Sequence, residues 1–402
     1  MLSHLNQIGE TDHWAICHTR YFDTAEGRFR TADIEVRGGE VVALGPPGRA
    51  KAAVLIDGRG MLFAPGLIGE LIVDQGDDCF DFEAYIRDAV LHGITTISLF
   101  TDRHASIVPE VRRSGLRAEI YCGHRNRSIE GYPVSATSEV RQAVDRYRSD
   151  VHALEDDLIS VSPGISSQLF TSSSLTIRLH ELAKADGKRL LVNVDSGRPH
   201  PELFHDLYAC SGTMLLRSLN VLDGNAIAVI DSTLSRRDFD ILADSGAHVC
   251  VLDGGNLQAG SKVTGILNRI VRSQRGVLLG RSSGAPLETA DNAISSQAFG
   301  WASSQRARQI GDLIVDAMTR GGSTALGLPT LGRIHAGASA DLLAFDLTLP
   351  ADGDTNAVPD ARLLFDLIAQ KRPRFVMVAG EWRVKDYTLA GGAAHPALAI
   401  MG

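Results

Sequence analysis

The 402-residue sequence has no C-x-x-C pair, no concentrated run of Lys and Arg, and no apolar stretch of membrane-spanning length. Each absence narrows the function. Five cysteines, Cys17, Cys79, Cys122, Cys210 and Cys250, are odd in number and widely spaced, which excludes a disulfide framework and fits reduced thiols in the cytoplasm. A formal charge of -8 with scattered basic residues excludes the phosphate-neutralising face that nucleic acids require. The opening "MLSHLNQIGETDHWAICHTR" has neither the basic nor the apolar segment of a secretory signal, so secretion and membrane insertion are not expected. No G-x-S-x-G elbow, phosphate-cradling loop, internal repeat or low-complexity segment is present.

What the chain does contain is an ordinary soluble balance, 44% hydrophobic and 22% charged, with 40 glycines to punctuate short elements. From about Trp14 to Ala64 it reads as short strands and turns. In "DIEVRGGEVVALG" the alternation of Ile34 and Val36, then Val41 and Ala43, across Gly38-Gly39 predicts a hairpin. From Gly66 to about Leu328 the texture changes. Eight apolar runs, "LIGELIVD", "GITTISLF", "RAEIYCG", "LISVSPG", "RLLVNVDSG", "NAIAVIDS", "AHVCVLDGG" and "GVLLGRSSG", alternate with amphipathic stretches. Eight parallel strands with crossover helices close a barrel, so the expected fold is α/β, a (β/α)8 barrel over residues 65–328. Strand texture returns after Leu328, and residues 1–64 and 329–402 are expected to join as one small β-sandwich domain.

The stretches "IDGRGMLFAPGLI", "SRRDFDILADSGAHVCVLDGGNLQAGSKVTGILNR", "RGGSTALGLPTLGRIHAGASADLLAFDL" and "PRFVMVAGEWRVKD", in this order and spacing, resemble the amidohydrolase superfamily, and within it the branch of atrazine chlorohydrolase and S-adenosylhomocysteine deaminase. The resemblance covers roughly residues 14 to 390. It implies a barrel that holds one divalent metal, zinc or iron, at the C-terminal strand ends, where the ion lowers the pKa of a bound water.

The same resemblance locates the ligands, and the expected residues are not there. The H-x-H of the first strand falls on Leu71 and Val73; the histidine of the fifth falls on Val192, with an acid surviving at Asp195. The histidine of the sixth strand falls on Ile230, and the closing G-T-D is replaced at Arg281 and Ser282. Aliphatic side chains donate no lone pair, so no metal and no other cofactor is expected.

The polar inventory at the strand ends is Glu70, Asp74, His124, Arg125, Ser162, Asp195, Asp231, Asp253, Asn256, Arg281 and Ser282. Asp195, Asp231 and Asp253 read either as a carboxylate site for a hard cation or as turn and N-cap chemistry. His124 beside Arg125 is a base with an anion anchor, or a satisfied loop histidine. Arg281 pairs with Asp231 or Asp253, or clamps a ligand carboxylate. Cys122 and Cys250 lie in apolar strands and are expected in the core, and His200 and His205 on a solvated loop.

Three functions stay open. The first is a catalytically degenerate member kept as a structural or regulatory partner of an active homologue or another enzyme, in an oligomer. The second is a metal-independent hydrolase or isomerase of a small polar, anionic molecule, with Asp195, Asp231 and His124 as acid and base and with Arg281, Ser282, Asp253, Asn256 and Asp74 holding the ligand. The third is a protein that binds a small polar molecule without turning it over.

Overall fold

The computed structural model describes residues 12–74, 80–128, 139–194, 201–231, 234–252, 262–282, 310–346 and 360–390. Two compact units divide the chain, one of residues 1–67, 86–95 and 333–402, the other of residues 68–85 and 96–332.

In the first unit, strands from both ends of the chain hydrogen-bond into one ten-stranded sheet. The early strands are β1 (His13–Asp23), β2 (Arg28–Arg37), β3 (Glu40–Gly45), β4 (Val54–Asp57) and β5 (Met61–Pro65). The predicted hairpin joins β2 to β3, with Gly38 and Gly39 at φ of 56° and 80°. A side chain at Gly39 would also strike the carbonyl oxygen of Ala379 at 2.6 Å, so space as well as φ demands glycine there. Ile34, Val36 and Val41 turn into a core shared with Trp14, Phe63 and Phe375.

The second unit is built on a closed barrel of eight parallel strands in sequential order. They are β6 (Leu67–Val73), β7 (Ile94–Thr101), β8 (Arg117–Gly123), β9 (Ile159–Ile165), β10 (Leu190–Asn193), β11 (Ala226–Ile230), β12 (His248–Leu252) and β13 (Val277–Ser282). Each coincides with one of the eight apolar runs. Both faces of such a strand are covered, which is why the runs are continuously apolar instead of alternating. Leu71, Tyr121, Leu191, Val229, Cys250 and Leu278 meet in one cluster, and each fully buried aliphatic there contributes roughly 1.5–3 kcal/mol.

Crossover helices follow the strands, beginning with α1 (Phe82–Leu91), α2 (His104–Ser114), α3 (Val140–Leu154) and α4 (Ser173–Ala185). Ser172 caps α4 by accepting from the backbone N–H of Leu175, and Ser235 caps the helix Arg236–Asp244 from Asp238 in the same way. His205 lies on a helix, Pro201–Tyr208, and not on a loop. Pro201 opens that helix, because the first helical residue has no use for its N–H. Among the described residues no helix is long and apolar enough to cross a membrane.

Candidate functional site at the barrel mouth

Which strand-end side chains enter the barrel follows from register, because residues paired between adjacent parallel strands share a face. A Cβ at Gly280 would lie 2.7 Å from Cys250 Sγ in the barrel core, so Gly280 faces inward. Gly280 pairs with Leu71 and Ser282 pairs with Val73. Val229, also in the core, pairs with both Asn193 and Cys250. The inward positions at the C-terminal ends are therefore Val73, Asn193, Leu252 and Ser282, and alternation past Val229 adds Asp231.

Leu71 and Val73 are buried in the barrel's hydrocarbon cluster. The strand-five and strand-six positions that face inward are Asn193 and Asp231, one residue beyond Val192 and Ile230. That is a correction to the expected register, and it exchanges two aliphatics for an amide and a carboxylate. The Asn193 amide donates to the Ser166 carbonyl at 3.2 Å. On the other side of the mouth Arg125 forms an ion pair with Asp102, whose Oδ1 occupies the space a side chain at Gly123 would need. Burial lowers the Arg125 pKa from its ordinary value, with the charge of Arg146 adding to the effect.

Three of the expected site residues face the other way. Arg281 pairs in register with Ile72, on the outer side of the wall. Its Nε lies 3.6 Å from Glu70 Oε2, and its guanidinium lies over the rings of Phe80 and Tyr85 at 5.7 and 5.4 Å. The structure thus sets Arg281 against Glu70 and two aromatic rings, not against Asp231 or Asp253. Asp74 is held by Arg103 through both oxygens, Nε to Oδ2 at 2.9 Å and Nη2 to Oδ1 at 2.8 Å, and accepts from the Thr101 hydroxyl at 2.6 Å. His124 lies edge-on to Tyr147 of α3, with centroids 6.0 Å apart. Burial, aided by the charges of Arg146 and His104, pushes its pKa down to about 4, so the ring is neutral near pH 7. Asp231 and Ser282 keep positions at the mouth, while Asp195, Asp253 and Asn256 lie outside the described residues.

Deeper in the barrel, sequence reasoning passed over Glu119. It pairs in register with Ser160, two residues below Tyr121, and accepts a hydrogen bond from the Ser162 hydroxyl. Burial raises its pKa to about 7, against hydrogen bonds from Ser162 and Ser160 and the charge of Lys188. A lone acid in the apolar run "RAEIYCG" was the available signal.

The family relationship is visible over most of the chain. Residues 67–383 match the amidohydrolase family. This chain belongs to that family. No curated relative matches it by sequence. Its fold is similar to atrazine chlorohydrolase from Arthrobacter aurescens TC1 complexed with zinc, at 15% identity and a TM-score of 0.74, covering 96% of this chain and 98% of the other. An adenosine deaminase from Xanthomonas campestris with bound zinc gives 16% identity and a TM-score of 0.72, covering 96% of each chain. An amidohydrolase from a Sargasso Sea environmental sample gives 17% identity and a TM-score of 0.71, covering 94% of each.

Leu71 and Val73, described residues at two positions that the resemblance assigns to metal ligands, carry no side-chain donor atom. Among the described residues at inward positions of the mouth there is no imidazole; the donors include the Asn193 amide, the Asp231 and Asp102 carboxylates and the Ser282 hydroxyl. Where the resemblance calls for a histidine pair, Leu71 and Val73 present only hydrocarbon to their neighbours. Zinc needs about four N, O or S donors near 2 Å.

Proposed function

We propose that this protein is a non-catalytic amidohydrolase: the barrel is retained for its surfaces and its mouth, and metal-hydroxide chemistry at the strand ends is lost. The observation that carries the reading is the burial of Leu71 and Val73 in the barrel's hydrocarbon cluster. Substituting the two residues that should anchor an ion removes both water activation and carbonyl polarisation. His124, which the sequence offered as a base, is turned to the outside of the wall. In this reading the protein acts as a structural or regulatory partner of an active homologue or another enzyme, assembled with it in an oligomer.

A second reading is supported by the polar groups that remain at the mouth. The Asp102–Arg125 pair, Asn193, Asp231 and Ser282 suit a small polar molecule bound without turnover. The discriminating experiment assays the purified chain for hydrolysis of amides and aminated or chlorinated N-heterocycles, with added zinc and with chelator. Turnover is expected to be absent in both arms, and the chain to co-purify with a larger enzyme from its own cells. Turnover that zinc restores, chelator removes and Asp231→Asn abolishes would overturn the proposal.

A further inference from the structure

Outside the barrel wall, three side chains of the metal-binding types come together between one strand and two helices. His104 opens α2, Cys122 sits on the outward face of β8, and Asp150 lies in the last turns of α3. One ligand atom from each lies within 4.8 Å of the others. His104 Nε2 is 3.4 Å from Asp150 Oδ1. His104 and Cys122 are 7% and 1% exposed, so solvent does not serve them freely.

The same place collects polar atoms with nothing to bind. His104 Nδ1, Asp150 Oδ2, His124 Nε2 and Tyr147 Oη are all buried and without a hydrogen-bond partner. Buried polar groups are satisfied in the great majority of cases, so a cluster of unsatisfied ones calls for an absent partner. One orphan would be unremarkable. Four around a histidine, a thiol and a carboxylate point to one shared ligand.

We propose that His104, Cys122 and Asp150 form a zinc site that fastens α2 and α3 to barrel strand β8, with water as the fourth ligand. The protein donors are one S, one O and one N, a set that suits a borderline-soft d10 ion and not magnesium or calcium. The charge also balances, since a thiolate and a carboxylate neutralise the divalent ion and leave no net charge buried. Binding breaks the S–H bond of Cys122, forms the S–Zn bond and releases one proton to water; no electron changes hands. The exposed guanidinium of Arg146 at the edge of the cluster would repel an uncompensated cation and therefore favours the fully ligated, neutral state.

This site is separate from the mouth, and its presence is independent of whether the mouth has lost its ion. Zinc content of the purified full-length chain should approach one equivalent. Replacing it with cobalt(II) should produce an intense thiolate-to-cobalt charge-transfer band in the near ultraviolet, lost in Cys122→Ala and weakened at least tenfold in affinity in Asp150→Asn. Both variants are checked for the wild-type far-ultraviolet circular dichroism, and Asp231→Asn should keep zinc and band alike. Added zinc should raise the Tm of wild type in a concentration-dependent way and leave that of Cys122→Ala unchanged. A wild-type chain that takes up neither zinc nor cobalt overturns this inference and leaves the reading of the mouth intact. Zinc retained in Cys122→Ala but lost in Asp231→Asn overturns both.

Discussion

Ser162 donates its hydroxyl proton to the carboxyl of Glu119 across two adjacent strands inside the barrel, where Ser98 and Ser160 are the acid's register neighbours. Burial holds the pKa of this acid at about 7 in spite of the hydrogen bond, against an ordinary value of 4.5. Between these values the unfolded chain has released a proton that the folded chain keeps. Stability therefore falls as pH rises from about 4.5 to about 7 and levels off above, a loss on the order of 3 kcal/mol. Glu119→Gln should remove this contribution, so that chemical denaturation at pH 5 and pH 8 shows the variant gaining stability relative to wild type as pH rises. An unchanged difference between the two pH values would show that Glu119 is ionised in the fold.

Leu71 tests the mouth from the hydrocarbon side. If it is core, as its burial indicates, Leu71→Ala should cost about 2–5 kcal/mol, because the tightly packed wall cannot collapse around the space. The denaturation midpoint is the readout. A cost under about 1 kcal/mol would mean that Leu71 lines open space, and the site at the strand ends would then be larger than described above.

Arg281 occupies a position where the family resemblance calls for something else, yet the structure gives it a packing role. Its guanidinium lies over Phe80 and Tyr85 and beside Glu70. Arg281→Ala should lower stability by about 1–4 kcal/mol, through loss of the cation–π contacts and of the ion pair with Glu70. Arg281→Lys should recover only part of this, since an ammonium cannot stack as a planar guanidinium does. Calorimetric titration of any small polar ligand that binds the mouth should give the same affinity for Arg281→Lys and wild type, and a tenfold or greater loss would bring Arg281 back into the site.

The barrel was legible because its eight strands are short, apolar and regularly spaced, and because a strand covered on both faces leaves a continuous run. The side chains of the mouth were less so. In a strand a shift of one residue reverses the face, so the difference between Val192 and Asn193, or Ile230 and Asp231, is invisible until neighbouring strands fix the register. Arg281 and His124 were visible as polar residues at strand ends, but the same parity turned both outward. The cluster of His104, Cys122 and Asp150 combines residues from a strand and two helices whose packing no local pattern encodes. Cys122 did read as buried, and it is, but burial alone did not reveal what surrounds it.

His248 supplies the acid limb. At the start of β12 its Nδ1 accepts from the Gly276 backbone N–H at 2.8 Å, and burial, aided by the charges of Arg189 and Arg275, pushes its pKa down to about 3 from 6.5. The unfolded chain then binds a proton that the folded chain refuses, so stability is lost as pH falls from about 6.5 toward 3, by an amount on the order of 4 kcal/mol. His248→Gln removes the titrating group and keeps a carbonyl acceptor. It should cost about 1 kcal/mol at pH 8 for an imperfect hydrogen bond, yet lose less stability than wild type between pH 6.5 and pH 4. Because the Glu119 contribution has the opposite sign over the same range, the two largely offset each other in wild type between about pH 6.5 and 4.5. Glu119→Gln alone should expose the acid loss, and the double variant Glu119→Gln, His248→Gln should remove it. An acid loss in the double variant as steep as in Glu119→Gln would exclude His248 as its source.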